Sequence, residues 1–230
     1  MSGKGGSVQV SVIVPARNEA ATIGPLVEDL RRMFPPPLEI LVIDDCSDDG
    51  TARVAREAGA RVVRLSAHGG KGAALKRGLA DATGQLVLTI DADGQDVAQD
   101  LQALLEEARR GADMVIGSRF LGRFEPGAIS GLNLLGTRFF NGLIRIATGV
   151  VVTDSQAGVR CFRKSLVDRM CLRSTEYEIE TEMLLEAIRL SARIAEVPVR
   201  RLPRKSGSTS FSRFRHGLRI LVTILRYRLP

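Results

Sequence analysis

The sequence has 230 residues, 44% of them hydrophobic, which suits one α/β domain and excludes wholesale disorder. Aromatic residues make up 4% and Trp is absent, so the stacking platforms of single-stranded nucleic-acid binders are not expected, and no nucleic-acid partner is. The net charge of +7 is local: residues 193–230 hold ten Lys/Arg against one acid, Glu196, while the remainder holds 23 bases and 25 acids.

That basic tail calls for an anionic partner. Cys46, Cys161 and Cys171 form no CxxC pair, which argues against a disulfide framework or zinc site and for a reducing cytosol. No apolar run reaches the roughly 18 residues a membrane span needs, because Arg138 and Arg145, then Arg219 and Arg226, interrupt the best stretches.

Taken in chain order, residues 1–7 are Gly/Ser-rich and read as a disordered tail without a signal-peptide run. Residues 8–14 read as a buried strand stopped by Pro15, and 20–33 as a helix ended by the prolines at 35–37. A strand at 38–43 runs into an acidic turn at 44–50. Helix 51–58, strand 61–65, helix 71–82 and strand 86–90 follow, then helix 100–110 and strand 113–118. Beyond Phe120 the pattern is less regular, with helices at 132–147 and 181–193 and strands at 158–162 and 193–199. Alternating strands and helices imply a mostly parallel sheet covered on both faces.

In such a sheet the strand C-termini share one edge, where ligands bind. Three polar clusters follow predicted strands directly: Arg17–Glu19, Asp44–Asp48 and Asp91–Gln95. Asp91 and Asp93, one residue apart, suit a divalent cation of the Mg²⁺ or Mn²⁺ type, with a ligand's phosphates completing the shell. The alternative is a solvated acidic turn with Asp96 and Gln99 capping a helix. Asp45 suits hydrogen bonding to a base or ribose, whereas Asp49 and Gly50 suit turn and cap chemistry. Lys71, in Gly69-Gly70-Lys71-Gly72 before a helix, reads equally as an anion site or a solvated lysine.

Val12-Ile13-Val14-Pro15-Ala16-Arg17-Asn18-Glu19, the Asp44-Asp45-x-Ser47-x-Asp49-Gly50-Thr51 run and Asp91-Ala92-Asp93-Gly94-Gln95 resemble family 2 glycosyltransferases of the GT-A fold. Gly117-Ser118-Arg119-Phe120, Asp154-x-x-x-Gly158-x-Arg160, Glu196-Val197-Pro198-Val199 and the segment from Arg204 follow in order, which is similar to the dolichyl or polyprenyl phosphate mannosyl- and glucosyltransferase branch. The resemblance spans nearly all of residues 8–211. It implies a GT-A domain over 8–210 and a C-terminal helix over 211–230. It implies donor contacts from Pro15, Arg17, Glu19, Ile43, Asp45, Lys71, Asp91, Ala92, Asp93, Gln95 and Arg204. Asp91 and Asp93 would be catalytic, and with Gln95 would hold the cation. Arg119, Thr137, Arg138 and Arg160 would meet the acceptor phosphate. The chain departs from the family at Gly94, at residues 97–99, at Asn133, where the family has an arginine that Arg138 replaces, and at Ser210, where it has lysine.

The resemblance implies inverting transfer of mannose or glucose from GDP-mannose or UDP-glucose to a polyprenyl or dolichyl phosphate at the cytoplasmic membrane face. A phosphate acceptor is already anionic, so orienting arginines matter more than a general base. A hydroxyl acceptor would need one, from Asp154, Glu180 or Glu182; the plain reading of Glu180 and Glu182 is an exposed helix face or a partner for a nearby arginine. Phe214, Leu218, Leu221, Leu225 and Leu229 form one helical stripe flanked by Arg215, Arg219 and Arg226. Such a helix either lies in an anionic membrane interface or packs on the domain. Relatives often continue into transmembrane helices here, so peripheral attachment, a membrane partner subunit or a truncated chain is expected. A soluble glycosyltransferase with a hydroxyl acceptor and a non-catalytic nucleotide-sugar-binding subunit are the competing readings.

Overall fold

The computed structural model describes residues 10–204 and 213–227. The expected N-terminal tail, the 205–212 segment with Ser210, and Leu229 lie outside the described residues.

A seven-stranded sheet in the order β3-β2-β1-β4-β6-β5-β7 forms the centre. β1 (Val10–Ala16), β2 (Leu38–Asp44), β3 (Arg61–Arg64) and β4 (Leu86–Thr89) run parallel. β6 (Arg160–Arg163) is antiparallel to both β4 and β5 (Met114–Phe124), and β7 (Ile194–Arg201) pairs parallel with β5. The sheet is thus mostly parallel, as the strand–helix alternation implies.

Side-chain alternation sorts the core into two layers. Val12, Val14, Ile40 and Val42 face the layer closed by α1 (Ala20–Met33) and α4 (Leu101–Arg109), through Ile23, Val27, Leu30, Leu101 and Leu104. Ile13, Leu41 and Ile43 face the other layer, closed by α3 (Lys71–Asp81) and α7 (Ile179–Arg189), through Leu75, Leu79, Met183 and Leu184. Burial on both faces explains why β1 carries consecutive apolar residues at Val12, Ile13 and Val14 rather than alternating there. Two short helices, α2 (Thr51–Glu57) and α6 (Lys164–Val167), complete the connections.

Two long helices are stacked outside the second layer. α5 (Gly131–Thr148) buries Ile144, and α8 (Arg213–Arg226) packs on α5 and α7 through His216, Ile220 and Ile224. The expected apolar stripe of α8 is not the packed face: Phe214, Leu218 and Leu225 are exposed. Packing and exposure therefore belong to opposite sides of the same helix.

Several boundaries shift for physical reasons. β1 continues through Pro15, which pairs opposite Ile43, so the proline does not end the strand. β5 runs past Ser118 to Phe124, because a register irregularity between Ser118 and Arg123 lets pairing with β7 resume at Arg200 and Arg201.

Candidate active site

The chain passes from β1 through β2 to β3, then returns to β4 on the other side of β1, which creates a topological switch point at the C-terminal edge. A cavity of about 1270 Å³ opens there. Its wall includes Pro15 at the end of β1, Arg17 and Glu19 after it, Asp45 after β2, and Asp91, Ala92, Asp93 and Gln95 after β4. Lys71 from α3, Arg119 from β5, Thr137 from α5 and Arg204 beyond β7 complete the expected residues that meet in this one space. Asn18 and Cys46, at the same edge, hold positive φ of 55° and 59°, a conformation non-glycine residues adopt rarely and which turns the chain sharply at each strand end.

Three expected residues lie elsewhere. Ile43 is fully buried in the core between β2 and α3, one residue inside the strand end. Arg138 is exposed on α5, its guanidinium 5.8 Å from the Phe120 ring centroid. Arg160 is fully buried and outside the cavity wall. Its guanidinium donates to the backbone carbonyls of Ala157, Glu180 and Ser155 at 2.8, 2.6 and 2.7 Å, so it ties the β6 entry loop to α7.

Asp91 and Asp93 sit in different electrostatic settings. Lys71 Nζ lies 2.7 Å from both Asp91 Oδ1 and Glu180 Oε1. Burial works against the Lys71 charge, yet the two carboxylates hold its pKa above the ordinary lysine value. Burial likewise pushes Asp91 up, but Lys71, and then Arg201, bring it below the usual carboxylate range. Lys71 is therefore a largely buried counter-ion at the cavity wall, paired with both carboxylates.

Asp93 is held more loosely. Its Oδ1 accepts from the Gln95 backbone N–H at 3.0 Å, while Oδ2 lies 3.5 Å from Arg201 Nη2 and 3.6 Å from Arg204 Nη1. Charge-assisted hydrogen bonds close to about 2.7–2.9 Å, so neither guanidinium fully engages that oxygen. Gln95 donates to the carbonyls of Ala128 and Leu202 and accepts from Arg201 Nη2 at 3.0 Å through Oε1.

Among the described residues no three His, Cys, Asp or Glu side chains converge into a preformed metal cage. Two carboxylates and an amide oxygen in one cavity still match Mg²⁺ or Mn²⁺, which take one or two carboxylates and let a ligand's phosphates fill the shell. The donor set fits a cation that arrives with phosphates.

Other expected residues have local duties. Asp45 accepts from the backbone N–H groups of Gly69 and Gly70 at 2.8 and 2.9 Å and from His68, so it fixes the glycine-rich turn that launches α3. Glu19 Oε1 accepts from Arg204 Nη2 at 2.5 Å, and burial raises its pKa despite that partner. Arg119 makes a two-pronged pair with Asp154, at 2.7 Å for each bond, and Glu196 in turn accepts from the Thr153 and Asp154 N–H groups. Burial opposes the Arg119 charge, and Asp154 more than restores it.

Glu180 and Glu182 are 3% and 5% exposed, which excludes the exposed-face alternative for both. Glu182 accepts from the backbone N–H groups of Arg173 and Ser174, so it shapes the loop before α7. Arg201 was not singled out from sequence. At the C-terminal end of β7 it bonds Asp96 Oδ1 and Gln95 Oε1 and borders Asp93, and its place two residues beyond Val199, the end of a predicted strand, was the available signal.

The model of the family described as Glycosyl transferase family 2 matches residues 11–171. Glycosyltransferase AglJ of Haloferax volcanii is 36% identical over 94% of this chain and 71% of its own length. The undecaprenyl-phosphate mannosyltransferase of Micrococcus luteus is 30% identical over 89% of this chain and 88% of its own. Among solved structures, glucosyl-3-phosphoglycerate synthase from Mycobacterium tuberculosis, in complex with Mn²⁺, uridine diphosphate and phosphoglyceric acid, superimposes with a TM-score of 0.76. It is 22% identical and covers 97% of this chain and 80% of that one, a likeness of fold.

Proposed function

The chain belongs to glycosyl transferase family 2, and on that premise we propose that it moves a hexose from a nucleotide sugar to a polyprenyl phosphate presented at a membrane surface. The observation that carries the lipid acceptor is the exposed surface of α5 and α8, two helices that contribute residues to the cavity wall. The exposed large apolar side chains of the described residues gather at Leu121 and Phe124 on β5, Leu132, Leu135, Phe139 and Ile146 on α5, Val151, and Phe214, Leu218 and Leu225 on α8. Neither α5 nor α8 contains an acid, and Arg138, Arg145, Arg215, Arg219 and Arg226 lie on them. Both helices line the cavity, through Leu132, Thr137, Arg215 and Ile220 among others. Two apolar, basic helices, with Arg219 of α8 lying 3.9 and 3.8 Å from Glu176 and Glu178, suit an anionic bilayer with the acceptor phosphate entering beside them. Among the described residues no helix is long and apolar enough to cross a membrane, so attachment through these helices would be peripheral.

Asp91, Asp93 and Gln95 would hold Mg²⁺ or Mn²⁺, which would neutralise the diphosphate and stabilise it as leaving group. Arg204 and Arg201 stand beside Asp93 to take phosphate oxygens, and Pro15, Arg17 and Glu19 border the nucleoside. Arg119, oriented by Asp154, and Thr137 would face the acceptor phosphate. An acceptor phosphate oxygen then attacks the anomeric carbon as its bond to the diphosphate breaks, with inversion; the bonding pair leaves on the diphosphate. No proton needs removal from such a nucleophile. This matches a site whose three expected base candidates are engaged: Asp154 with Arg119, Glu180 with Lys71, and Glu182 with backbone N–H groups.

Product analysis tests the reading. UDP-glucose and GDP-mannose, with Mn²⁺, are offered to polyprenyl phosphate in anionic vesicles and, in parallel, to phosphoglycerate and free sugars. Label in the lipid phase is expected. Label only in a soluble acceptor would replace this reading with that of a hydroxyl-glycosylating enzyme, and binding without any transfer with that of a silent nucleotide-sugar subunit.

A further inference from the structure

Arg201, at the end of β7, is held against the segment that follows Asp93 by backbone and side chain together. Asp96 and Arg201 pair as an isolated antiparallel bridge. Leu202 N–H donates to the Gln95 carbonyl at 2.8 Å, and Gln95 Nε2 donates back to the Leu202 carbonyl at 3.0 Å. One residue earlier, Arg200 grips Asp100 through its own N–H at 2.6 Å and through its guanidinium at 2.8 Å. The backbone around Arg201 is therefore fixed, and what stays adjustable is its guanidinium.

That guanidinium is divided between two sides. Nη1 donates to Asp96 Oδ1 at 2.5 Å, while Nη2 donates to Gln95 Oε1 at 3.0 Å and lies 3.5 Å from Asp93 Oδ2. Two of the three side chains assigned above to the divalent cation thus already face a positive charge. The pair with Asp96 is also half made, because Asp96 Oδ2 and Arg201 Nε are buried without hydrogen-bond partners. Buried orphans of this kind are rare, and arginine–carboxylate pairs frequently close as a two-pronged fork. A guanidinium turned toward Asp96 would complete that fork through Oδ2 and draw Nη2 away from Gln95 and Asp93. Nη2 carries two N–H bonds, so one would close the fork and the other would face the diphosphate.

We propose that Arg201 is an internal cation that competes with the divalent metal for Asp93 and Gln95, and that Asp96 receives it when metal and nucleotide enter together. Against metal alone the guanidinium holds its place. A diphosphate arriving with the metal offers anionic oxygens to the N–H that is released, which couples the two ligands. Asp96, outside the cavity wall, acts through Arg201 and is a positioning residue. The inference rests on the metal-assisted donor reading above and adds the pair that makes metal uptake depend on the nucleotide.

The test is calorimetry with Mn²⁺ alone, then with UDP and GDP in Mn²⁺ and in chelator, beside thermal unfolding of each variant. Arg201→Met keeps an apolar stem and is expected to bind Mn²⁺ alone about tenfold more tightly than wild type, a gain that damage to the fold does not produce. Asp96→Asn removes the receiving carboxylate. It is expected to cut the Mn²⁺ assistance to nucleotide binding about tenfold, with affinity in chelator within about twofold of wild type. In the Arg201→Met background Asp96→Asn should add nothing further, whereas two independent charge effects would sum. If Arg201→Met alone fails to fold, the double variant leaves no buried charge without its partner, and the same gain for Mn²⁺ alone is expected of it. Folded variants that bind Mn²⁺ alone no more tightly than wild type, or effects of the two substitutions that sum, overturn the inference and leave the donor reading standing. A wild type in which Mn²⁺ assists the binding of neither nucleotide overturns both.

Discussion

Gly158 lies so close to Asp91 that a Cβ at residue 158 would sit 2.8 Å from Asp91 Oδ2 and 3.1 Å from Cγ. The contact is a side chain with a duty, already fixed on its other side by Lys71, so it has little room to yield. Gly158→Ala is expected to displace the Asp91 carboxylate and to cost about 1–3 kcal/mol of stability by over-packing. Metal-assisted nucleotide affinity should fall by about tenfold or more, measured by calorimetry with and without Mn²⁺. Unchanged affinity would mean Asp91 does not need its observed position.

Lys71 makes a pH-dependent prediction. Asp91 has its pKa lowered in the fold, so its contribution to stability is present above its ordinary value near 4 and is lost as pH falls through the lower folded value. Lys71 has its pKa raised, so its contribution is present below the ordinary lysine value and is lost only as pH rises through the higher folded one. Lys71→Met leaves the buried Glu180 and the partly buried Asp91 without their shared cation, which costs about 3 kcal/mol near neutral pH. That deficit should shrink as pH falls, because Asp91 without Lys71 loses the partner that lowers its pKa and takes up its proton at higher pH than in the wild type. Urea unfolding of the two proteins at pH 7, 5 and 3.5 reads it, and a deficit independent of pH would contradict the assignment.

Arg119 and Asp154 form the two-pronged pair that aims a guanidinium at the proposed acceptor side. Lysine cannot reproduce that fork. Arg119→Lys is expected to raise KM for the lipid phosphate about tenfold while nucleoside diphosphate affinity stays within about twofold. Steady-state kinetics with varied acceptor, beside a binding isotherm for the diphosphate, separates the two sites. Equal losses at both would place Arg119 on the donor.

The exposed side of α8 can be changed without touching its packed side. Phe214 and Leu218 are 86% and 54% exposed, whereas Ile220 and Ile224 are buried. Phe214→Ser with Leu218→Ser should reduce partition onto anionic vesicles at least about tenfold and leave thermal unfolding unchanged. Sedimentation with vesicles, repeated at high salt to screen the arginines, measures this. Full binding by the double variant would remove this surface from the account.

The α/β class and the strand-end clusters were legible because both follow from short-range pattern. α1 spans residues 20–33 as the spacing predicts, and twelve of the fifteen expected site residues share one cavity. What stayed hidden depends on tertiary partners. The period of α7 marks a helix but cannot distinguish a solvated glutamate from one buried against Lys71. A motif match places Arg160 near the site, yet nothing local reveals that its donors are spent on carbonyls. The apolar stripe of α8 was visible, while the opposite face, with Ile220 and Ile224, is the one that packs. Arg201 was one more base in a basic tail until β7 carried it alongside Asp93, Gln95 and Asp96.

Calorimetry of the pure chain with UDP-glucose and GDP-mannose, each with Mn²⁺ and with chelator, probes the proposed donor site directly. One of the two sugar nucleotides should bind at least about tenfold more tightly with Mn²⁺, and Asp93→Ala should abolish that difference. Binding of neither nucleotide, or a manganese effect that survives loss of the Asp93 carboxylate, would contradict the account.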